Sequence, residues 1–314
     1  MQWTGRVRQR VKLRDLYILL AVAEHGSILR AAKHLAVSHP VVSRTISELE
    51  LALGVRLFDR GARGVETTMH GQAAVDCSVA VFDELRRGMQ HLEYLSDPTV
   101  DEVRIGATPP LMAGLIPAVI ARVGRDHPRI SFYSAERDTD TLHKNLRQRQ
   151  IDFVISRRRQ FIGRDDLFAE ELFDEQLFVV VGRGSTWARR RKIDLSELVD
   201  EPWILPLPDG ELGKYIVAGF HSRGLSPPKK AALSDSIPLR NKLLATNRYI
   251  SVLPRSLLHF CAQELAVKVL PVTIPGRWQP AEIVTLKNRT LSPAAEVFID
   301  CVRDLAKDLP KVRG

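Results

Sequence analysis

The strongest constraint on the fold is a stripe of apolar side chains with helical spacing between residues 38 and 53. At about 100° per residue, the four apolar side chains lie within one sector of about 60°, which must face a protein interior: Val42, Ile46, Leu49 and Leu53. The opposite side is small, polar and basic in its first two turns and becomes acidic later: Pro40, Ser43, Arg44, Ser47, then Glu48 and Glu50. Short hydroxyl side chains beside a guanidinium suit a helix that enters the major groove of DNA. Every surface helix has a polar face, so this helix alone leaves both interpretations open.

Two shorter helical patterns precede this helix. The first has apolar residues at helical spacing from Leu13 to Ala23 and ends at Gly26, because glycine tolerates the left-handed conformation beyond a helix end. The second begins after Ser27, a good N-cap, and ends before the break at residues 36–38. Ser38 is the predicted N-cap of the third helix, with Pro40 in its first turn. Two helices joined by a short turn are typical of a helix-turn-helix.

A hairpin is predicted after the third helix, between residues 55 and 68. Short apolar segments flank a tip rich in glycine, and Arg60 and Arg63 are expected to contact phosphates. Residues 1–70 contain eleven Lys and Arg against six Asp and Glu, a net charge of +5 of the +9 of the whole chain. An excess of positive charge in an N-terminal module is typical of proteins that bind a polyanion, although many basic surfaces are only solvated.

This region resembles the DNA-binding domain of the LysR-type transcriptional regulators. The matching residues, in register, are Ser27, Ala31, Ala32, Leu35, Ser38, Pro40, Val42, Ser43, Ile46, Leu49, Glu50, Leu53, Gly54, Leu57, Phe58 and Arg60. The resemblance implies double-stranded DNA as partner, with base or positioning contacts from Ser38, His39, Pro40, Ser43 and Arg44. His39 replaces the glutamine that is usual in the family, so base readout at this position is expected to differ. Leu29 replaces a usual polar residue in the second helix. The basic segment from Arg6 to Lys12 is expected to be a terminal tail, with a groove contact as the alternative.

A long helix is predicted from about residue 71 to residue 95. Its apolar or small residues recur in steps of three and four: Ala74, Ser78, Val81, Leu85, Met89, Leu92 and Leu95. This heptad-like spacing suits pairing with a second copy, and packing within its own domain is the alternative. In LysR-type proteins the corresponding helix pairs two subunits, so the resemblance implies a homodimer or homotetramer, between which the sequence does not decide.

The pattern changes after residue 98 to strands alternating with helices. Strands are expected at 102–106, 130–134 and 153–156, with helices at 111–125 and 140–149. A second set of such segments lies at 177–181, 203–205, 215–223, 230–233, 239–245, 250–253 and 267–270, followed by 282–286 and a final helix at 294–309. Alternation of this kind predicts a mostly parallel sheet covered by helices. It resembles the type 2 periplasmic-binding-protein fold of LysR-type effector domains, and within them the branch related to regulators of sugar-binding-protein genes.

The predicted architecture is multidomain. A winged helix-turn-helix at residues 1–70 is followed by a linker or dimerisation helix at 71–98 and an α/β two-lobed, periplasmic-binding-protein-like effector domain at 99–314. Lobe one is expected at about 99–172 and 280–314, and lobe two at about 173–279. The family often has a Gly-x-Gly-Ile stretch where this chain has Asn247 to Ile250, so one wall of the lobe-two pocket is expected to be atypical.

Ligands of α/β sheets bind at the carboxyl ends of strands. The residues expected there are Thr108, Pro109, Glu136, Thr139, Asp209 and Ser236. Thr108, Thr139 and Ser236 could instead cap helices, and Asp209 could belong to a simple turn. The expected effector is a small molecule such as a sugar or a small carboxylic acid, and RNA polymerase is a further candidate partner.

Other classes of protein fit the sequence less well. No metalloprotease, nucleophile-elbow, phosphate-loop or metal-ligand spacing is present, so an enzyme, a cofactor or a metal is not expected. The three cysteines are expected to be small buried side chains. Neither a signal peptide nor an apolar stretch of membrane-spanning length occurs, which favours the cytoplasm over a transport-type solute receptor. A nucleoid-type DNA binder that needs no ligand differs only in sequence specificity.

Overall fold

The computed structural model describes residues 11–61, 64–97, 101–157, 165–229, 231–262, 264–276 and 278–309. The chain divides into two compact units, Met1–Leu92 and Glu93–Gly314. None of the helices in these described ranges is long and apolar enough to cross a membrane.

The first unit contains three helices, a hairpin and most of a fourth helix. Its elements are α1 (Leu13–His25), α2 (Ile28–His34), α3 (His39–Leu53), β1 (Phe58–Gly61), β2 (Gly64–Thr67) and α4 (Met69–Ser96), of which α4 continues beyond the unit. The predicted stripe of α3 packs in the core, where Val42, Ile46 and Leu49 are buried against Leu19 and Ala32 of the first two helices. The predicted helix-turn-helix and hairpin are therefore confirmed.

Local signals set the ends of these helices. Gly26 follows α1 in the left-handed conformation, with φ of 56°, and the hydroxyl of Ser27 accepts the N–H of Arg30 at the start of α2. Ser38 occupies the N-cap position of α3, although its side chain makes no capping hydrogen bond. Helix α4 begins two residues earlier than predicted because the Thr68 hydroxyl accepts the N–H of Gly71 at 2.9 Å.

The second unit contains two five-stranded sheets. The first sheet has the order β4-β3-β5-β12-β6, and its strands are β3 (Asp101–Ala107), β4 (Ile130–Glu136), β5 (Phe153–Arg157), β6 (Leu167–Phe173) and β12 (Ala281–Leu286). The second has the order β11-β7-β10-β8-β9, and its strands are β7 (Leu177–Gly182), β8 (Trp203–Leu205), β9 (Ala231–Leu233), β10 (Ile250–Pro254) and β11 (Val267–Val269). Helices pack on these sheets: α5 (Pro109–Ala113), α6 (Leu115–Asp126), α7 (Thr139–Arg147), α8 (Glu211–His221), α9 (Ile237–Ala245), α10 (Arg255–Phe260) and α11 (Pro293–Lys307).

The expectation of mostly parallel sheets is wrong. In the first sheet β3 pairs in parallel with β4 and β5, but β12 pairs antiparallel with both β5 and β6. The second sheet likewise has two parallel and two antiparallel pairs. The cause is the path of the chain, which passes from one sheet to the other between β6 and β7 and returns between β11 and β12. The strands next to these crossings run against their neighbours.

Other findings bear on individual sequence expectations. The helix expected at 111–125 is two helices, with Gly114 as the C-cap of α5 and the N-cap of α6. Strand β6 and helix α10 were not predicted. Asn247, at the atypical stretch, takes the left-handed conformation with φ of 63°, and its side-chain oxygen accepts the N–H of Gly184. Cys261 and Cys301 are buried as expected, but Cys77 is exposed.

Candidate DNA-binding surface and ligand cleft

The outward face of α3 is open to solvent. The Arg44 side chain is 81% exposed, and its Nε lies 3.6 Å from a carboxylate oxygen of Glu48, one helical turn away. Ser38, His39 and Pro40 are exposed, and Ser43 is half-buried with its backbone oxygen accepting the Ser47 hydroxyl at 3.0 Å. Four of the five predicted contact residues are thus exposed, and three of them lie at the start of α3, where the positive end of the helix dipole favours phosphates.

The hairpin is fixed to this helix system by backbone contacts. The N–H of Val65 donates to the carbonyl oxygen of Gly26 at 3.0 Å, and a Cβ placed on Gly64 would lie 2.3 Å from that same oxygen. Only glycine permits this approach, since Gly64 also has φ of 131°. Arg60 lies in β1, in register with Val65 of β2. Arg63 lies outside the described residues.

Helix α4 carries an uncovered apolar stripe. Its members are exposed large side chains at i, i+4, i+7 and i+10: Leu85 at 47%, Met89 at 54%, Leu92 at 58% and Leu95 at 65%. The earlier positions of the predicted stripe behave differently, because Ser78 is buried and Ala74 packs against the core of the first unit. The C-terminal half of the stripe is therefore the part that is available to another helix.

A cavity of about 450 Å³ lies in the second unit, lined by residues that follow strands of both sheets. This volume falls in the usual range for sites that bind small molecules. Five of the six predicted effector residues line it: Thr108, Pro109, Glu136, Thr139 and Asp209. Ser236 does not line the cavity, and its hydroxyl instead accepts the N–H of Leu239 as the N-cap of α9.

Neither threonine caps a helix through its side chain. Asp138 is the N-cap of α7, and its carboxylate accepts the hydroxyl of Thr141 at 2.6 Å and the N–H of Thr141 at 3.0 Å. These hydrogen bonds lower the pKa of Asp138. Thr139, the next residue, is buried. Thr108 occupies the N-cap position of α5, but its hydroxyl makes no capping hydrogen bond. Both side chains are therefore available to the cavity that they line.

Two arginines in the cleft were missed by the sequence reasoning. Arg157, the last residue of β5, is 8% exposed, and Arg240 of α9 is 2% exposed. Both line the cavity. The guanidinium of Arg157 lies over the ring of Trp278, with its carbon 5.0 Å from the ring centroid. The guanidinium of Arg240 donates to the backbone oxygens of Ser234 and Val252 at 3.3 and 3.5 Å.

Both arginines are held in an unfavourable environment for a cation. Burial lowers the pKa of the Arg157 guanidinium, and the negative charges of Glu175 and Glu211 oppose this shift. Burial also lowers the pKa of Arg240; Asp235 opposes that shift and the positive charge of Arg157 adds to it. The two cations therefore repel each other in a region of low polarity, which an anion between them would relieve.

One signal in the sequence pointed to Arg157. It directly follows the buried strand predicted at 153–156, at the same sheet edge as Thr108 and Glu136. Arg240 has no comparable signal, because it lies in a helix whose packing follows from the tertiary fold. No cluster of three or more His, Cys, Asp or Glu that could hold a metal occurs in the described part of the chain.

Comparisons with known proteins agree with this architecture. Residues 13–72 match the family described as bacterial regulatory helix-turn-helix protein, lysR family, and residues 96–307 match the LysR substrate binding domain. The HTH-type transcriptional regulator GbpR from Azospirillum brasilense is 30% identical over 298 residues, covering 95% of this chain and 87% of that protein. GbpR is by its name a transcriptional regulator.

Solved structures share the fold. Full-length CbnR in complex with its target DNA has a TM-score of 0.63 at 20% identity and covers 94% of this chain and 99% of its own. A full-length OxyR variant from Pseudomonas aeruginosa has a TM-score of 0.63 at 23% identity and covers 97% of this chain and 99% of its own. With both family models matched in sequence order, the chain belongs to the LysR family of bacterial regulators and is a DNA-binding transcriptional regulator with an effector-binding domain.

Proposed function

We propose that this regulator reads a specific DNA site through the outward face of α3. Ser38, His39, Pro40, Ser43 and Arg44 would position the helix or contact base edges, and Arg60 and Arg63 would contact phosphates. The observation that carries this proposal is the division of α3 into two sides. Arg44 is 81% exposed, whereas Val42 and Ile46 are buried at 0% and 1% exposure. A helix anchored in this way presents its polar edge without rearrangement of the core.

The proposal assigns a role to each part of the chain. Residues 1–70 would bind DNA, residues 71–98 would form the linker and dimerisation helix, and residues 99–314 would bind the effector. The exposed stripe of α4 supports a homodimer or a homotetramer, since four large apolar side chains in solvent favour burial against a second copy. Two reading helices in one oligomer raise the affinity for a site with two halves.

The effector would bind in the cavity between the two sheets of the second unit. Its volume of about 450 Å³ and its position at the carboxyl ends of β3, β4 and β5 support this assignment. An effector changes DNA affinity only if it binds more tightly to one of the two DNA-binding states than to the other. By the same linkage, DNA changes the affinity for the effector in the same ratio.

Substitution of Arg44 tests the proposed DNA contact. Arg44→Ala should weaken binding to the specific site by about 1–3 kcal/mol if the guanidinium makes a bidentate base contact. The matched control is Arg125→Ala, which removes an exposed arginine from α6 in the second unit and changes the net charge equally. Gel-shift titrations on the DNA upstream of the gene, with the site first located by footprinting, measure both affinities. Wild-type affinity of Arg44→Ala would show that α3 does not read the DNA as proposed.

Competition with unrelated DNA separates a specific regulator from a nucleoid-type binder. We expect the specific site to compete at least about a thousandfold better than random DNA at physiological salt. Repeating the footprint with a panel of sugars and small carboxylic acids then tests the effector, whose binding should change the protected region or the affinity. Equal affinity for all DNA sequences would contradict sequence-specific regulation.

A further inference from the structure

The cleft of the second unit contains buried donors without acceptors. Among the residues that the structure describes, hydrogen-bond partners are absent for Nε and the second terminal nitrogen of Arg157, for Nε of Arg240 and for the hydroxyl of Thr108. All three side chains are more than nine-tenths buried, at 8%, 2% and 7% exposure, and all three line the same cavity. Leaving buried charged donors unsatisfied is costly, so such groups point to a missing acceptor.

The two arginines belong to opposite walls of the cavity. Arg157 ends β5 of the first sheet, and Arg240 lies on α9 beside the second sheet. Thr108 follows β3, the direct parallel neighbour of β5, and so lies at the same sheet edge as Arg157. A ligand that contacts all three groups would join the two walls. It has to supply several acceptor atoms and negative charge at one point, as a carboxylate does.

We propose that the cleft binds a small organic acid whose carboxylate lies between Arg157 and Arg240 and accepts a hydrogen bond from the hydroxyl of Thr108. This inference rests on the proposed function, in which the cleft is the effector site. The stacking of Arg157 on Trp278 supports it, because the ring fixes the guanidinium plane while leaving nitrogen donors available in the cavity.

The start of α8 adds donors to the same cavity. Its N-cap is Gly210, which has no side chain to satisfy the first N–H groups of the helix, and Gly210 to Gly213 line the cavity. Gly213 is required here, since a Cβ on it would lie 2.0 Å from the carbonyl oxygen of Leu207. The positive end of the helix dipole favours a negative ligand group here, and the first turn of α8 also holds the carboxylate of Glu211.

The rim of the cavity selects the rest of the ligand. Six carboxylates line the cavity, and two of them, Glu136 and Asp209, are exposed on opposite walls as acceptors. The other four belong to Asp138, Asp140, Glu211 and Asp235, and the basic side chains of Arg137 and Lys214 line the cavity as well. The carboxylates of the rim would repel a second strongly anionic group of the ligand. They would accept hydrogen bonds from its hydroxyl or amino groups. The chemical class that fits both regions is a hydroxylated carboxylic acid.

Isothermal titration calorimetry on the full chain tests the ligand class with matched pairs of probes. The acids are D-gluconate, D-glycerate and L-lactate, and their neutral counterparts are D-glucitol, glycerol and L-lactamide. Sodium sulfate serves as an inorganic anion without hydroxyl groups. We expect at least one acid to bind and its neutral counterpart to bind at least about tenfold more weakly, because a hydrogen bond to a charged group is lost.

Substitutions test where the carboxylate of the ligand binds. Arg157→Met and Arg240→Met should each weaken the bound acid at least about tenfold, and Thr108→Val, which removes only the hydroxyl, should weaken it several-fold. Arg125→Met is the matched control and should leave the affinity unchanged. Without ligand, Arg157→Met should unfold at the same temperature as wild type or higher, because it removes a buried cation. A purely structural role for Arg157 would instead lower this temperature.

The outcomes separate this inference from the proposed function. Binding of no acid, equal binding of an acid and its neutral counterpart, binding of sulfate alone, or wild-type acid affinity in both arginine variants would each overturn the inference. If a neutral polyol binds in the cleft and alters the footprint, the inference fails and the proposed function stands. If an acid binds through both arginines without altering DNA binding, the inference stands and the effector part of the proposed function fails.

Discussion

The carboxylate of Glu50 accepts the backbone N–H of Leu57, with 2.8 Å between Oε1 and the nitrogen. The same oxygen lies 3.3 Å from the N–H of Phe58, the first residue of β1. Glu50 belongs to the last part of α3, so one side chain ties the end of the proposed reading helix to the start of the hairpin. Leu57 and Phe58 are both buried, which makes these two N–H groups dependent on Glu50.

Removal of this carboxylate should loosen the hairpin. We expect Glu50→Ala to lower the free energy of opening at Leu57 and Phe58 by about 1–3 kcal/mol, because buried donors lose their acceptor. Glu50→Gln keeps an oxygen at this place and should lose less than half of that amount. Hydrogen exchange of the hairpin amides, followed by mass spectrometry, measures both. Equal protection in wild type and Glu50→Ala would show that the hairpin is held by other contacts.

Glu50 also shows where sequence reasoning stops. The helical period of α3 was predicted because apolar spacing is a local property, and Val42, Ile46 and Leu49 are buried as expected. The same period placed Glu50 with Glu48 on the outward face. The structure turns Glu50 toward the hairpin, since the backbone of β1 needs acceptors that only the tertiary fold brings into reach.

Replacement of two helical glycines by alanine should change the stability of the protein in opposite directions. A Cβ on Gly71 would lie 1.9 Å from the carbonyl oxygen of Leu57, whereas a Cβ on Gly124 would meet only Phe132, at 3.8 Å. Gly71→Ala should therefore destabilise the first unit by about 1–3 kcal/mol through overpacking. Gly124→Ala should stabilise by about 0.5–1 kcal/mol, because alanine has the higher helix propensity. Differential scanning calorimetry distinguishes these signs, and a neutral Gly71→Ala would refute the close packing of α4.

Charged side chains introduced into the exposed stripe of α4 should weaken the association of subunits. Replacing Leu85 and Leu92 with Glu should raise the dissociation constant of the oligomer at least about tenfold, because two apolar side chains lose their burial. Leu51→Glu is the control, since Leu51 is 77% exposed on α3 and outside the stripe. Sedimentation velocity over a concentration series reports the association. An unchanged sedimentation profile of the double variant would show that this stripe does not pair subunits.

The acid stability of the second unit should depend on Glu170. Arg303 donates two hydrogen bonds to its carboxylate, at 2.9 and 2.6 Å, and these lower the pKa of Glu170. Because the pKa is lower in the folded state, this pair stabilises fully above the unfolded pKa of about 4.3, and the stabilisation is lost as the pH falls through the folded pKa.

The measurement is the urea midpoint of wild type and Glu170→Gln between neutral and acid pH. Wild type should lose more stability than Glu170→Gln as the pH falls below about 4.3. Glu296→Gln, which removes an exposed carboxylate from the same helix as Arg303, should follow wild type. Parallel curves for wild type and Glu170→Gln would show that the pair contributes nothing to the acid transition.

The sequence predicts the residues of the candidate cleft that follow strands, but not its buried arginines. Thr108, Pro109, Glu136, Thr139 and Asp209 were found because loops after parallel strands meet at one sheet edge, which strand order in the sequence reveals. Ser236 follows the same rule but caps α9 instead. Arg240 could not be found, because its approach to the cavity depends on how α9 packs against β10, a relation between segments that no local pattern encodes.

Cleavage of DNA from a reagent on α3 tests the central claim most directly. Cys77 is exposed and is first replaced by Ser, and Ser47→Cys on the outward face of α3 is then labelled with an iron chelate that generates hydroxyl radicals. The control is the wild-type protein labelled at Cys77 on α4. If α3 lies in the major groove, the Ser47→Cys conjugate cuts both strands inside the footprint, at positions that Cys77 does not reach. A conjugate that binds the site with unchanged affinity but cuts nothing within it would contradict the account.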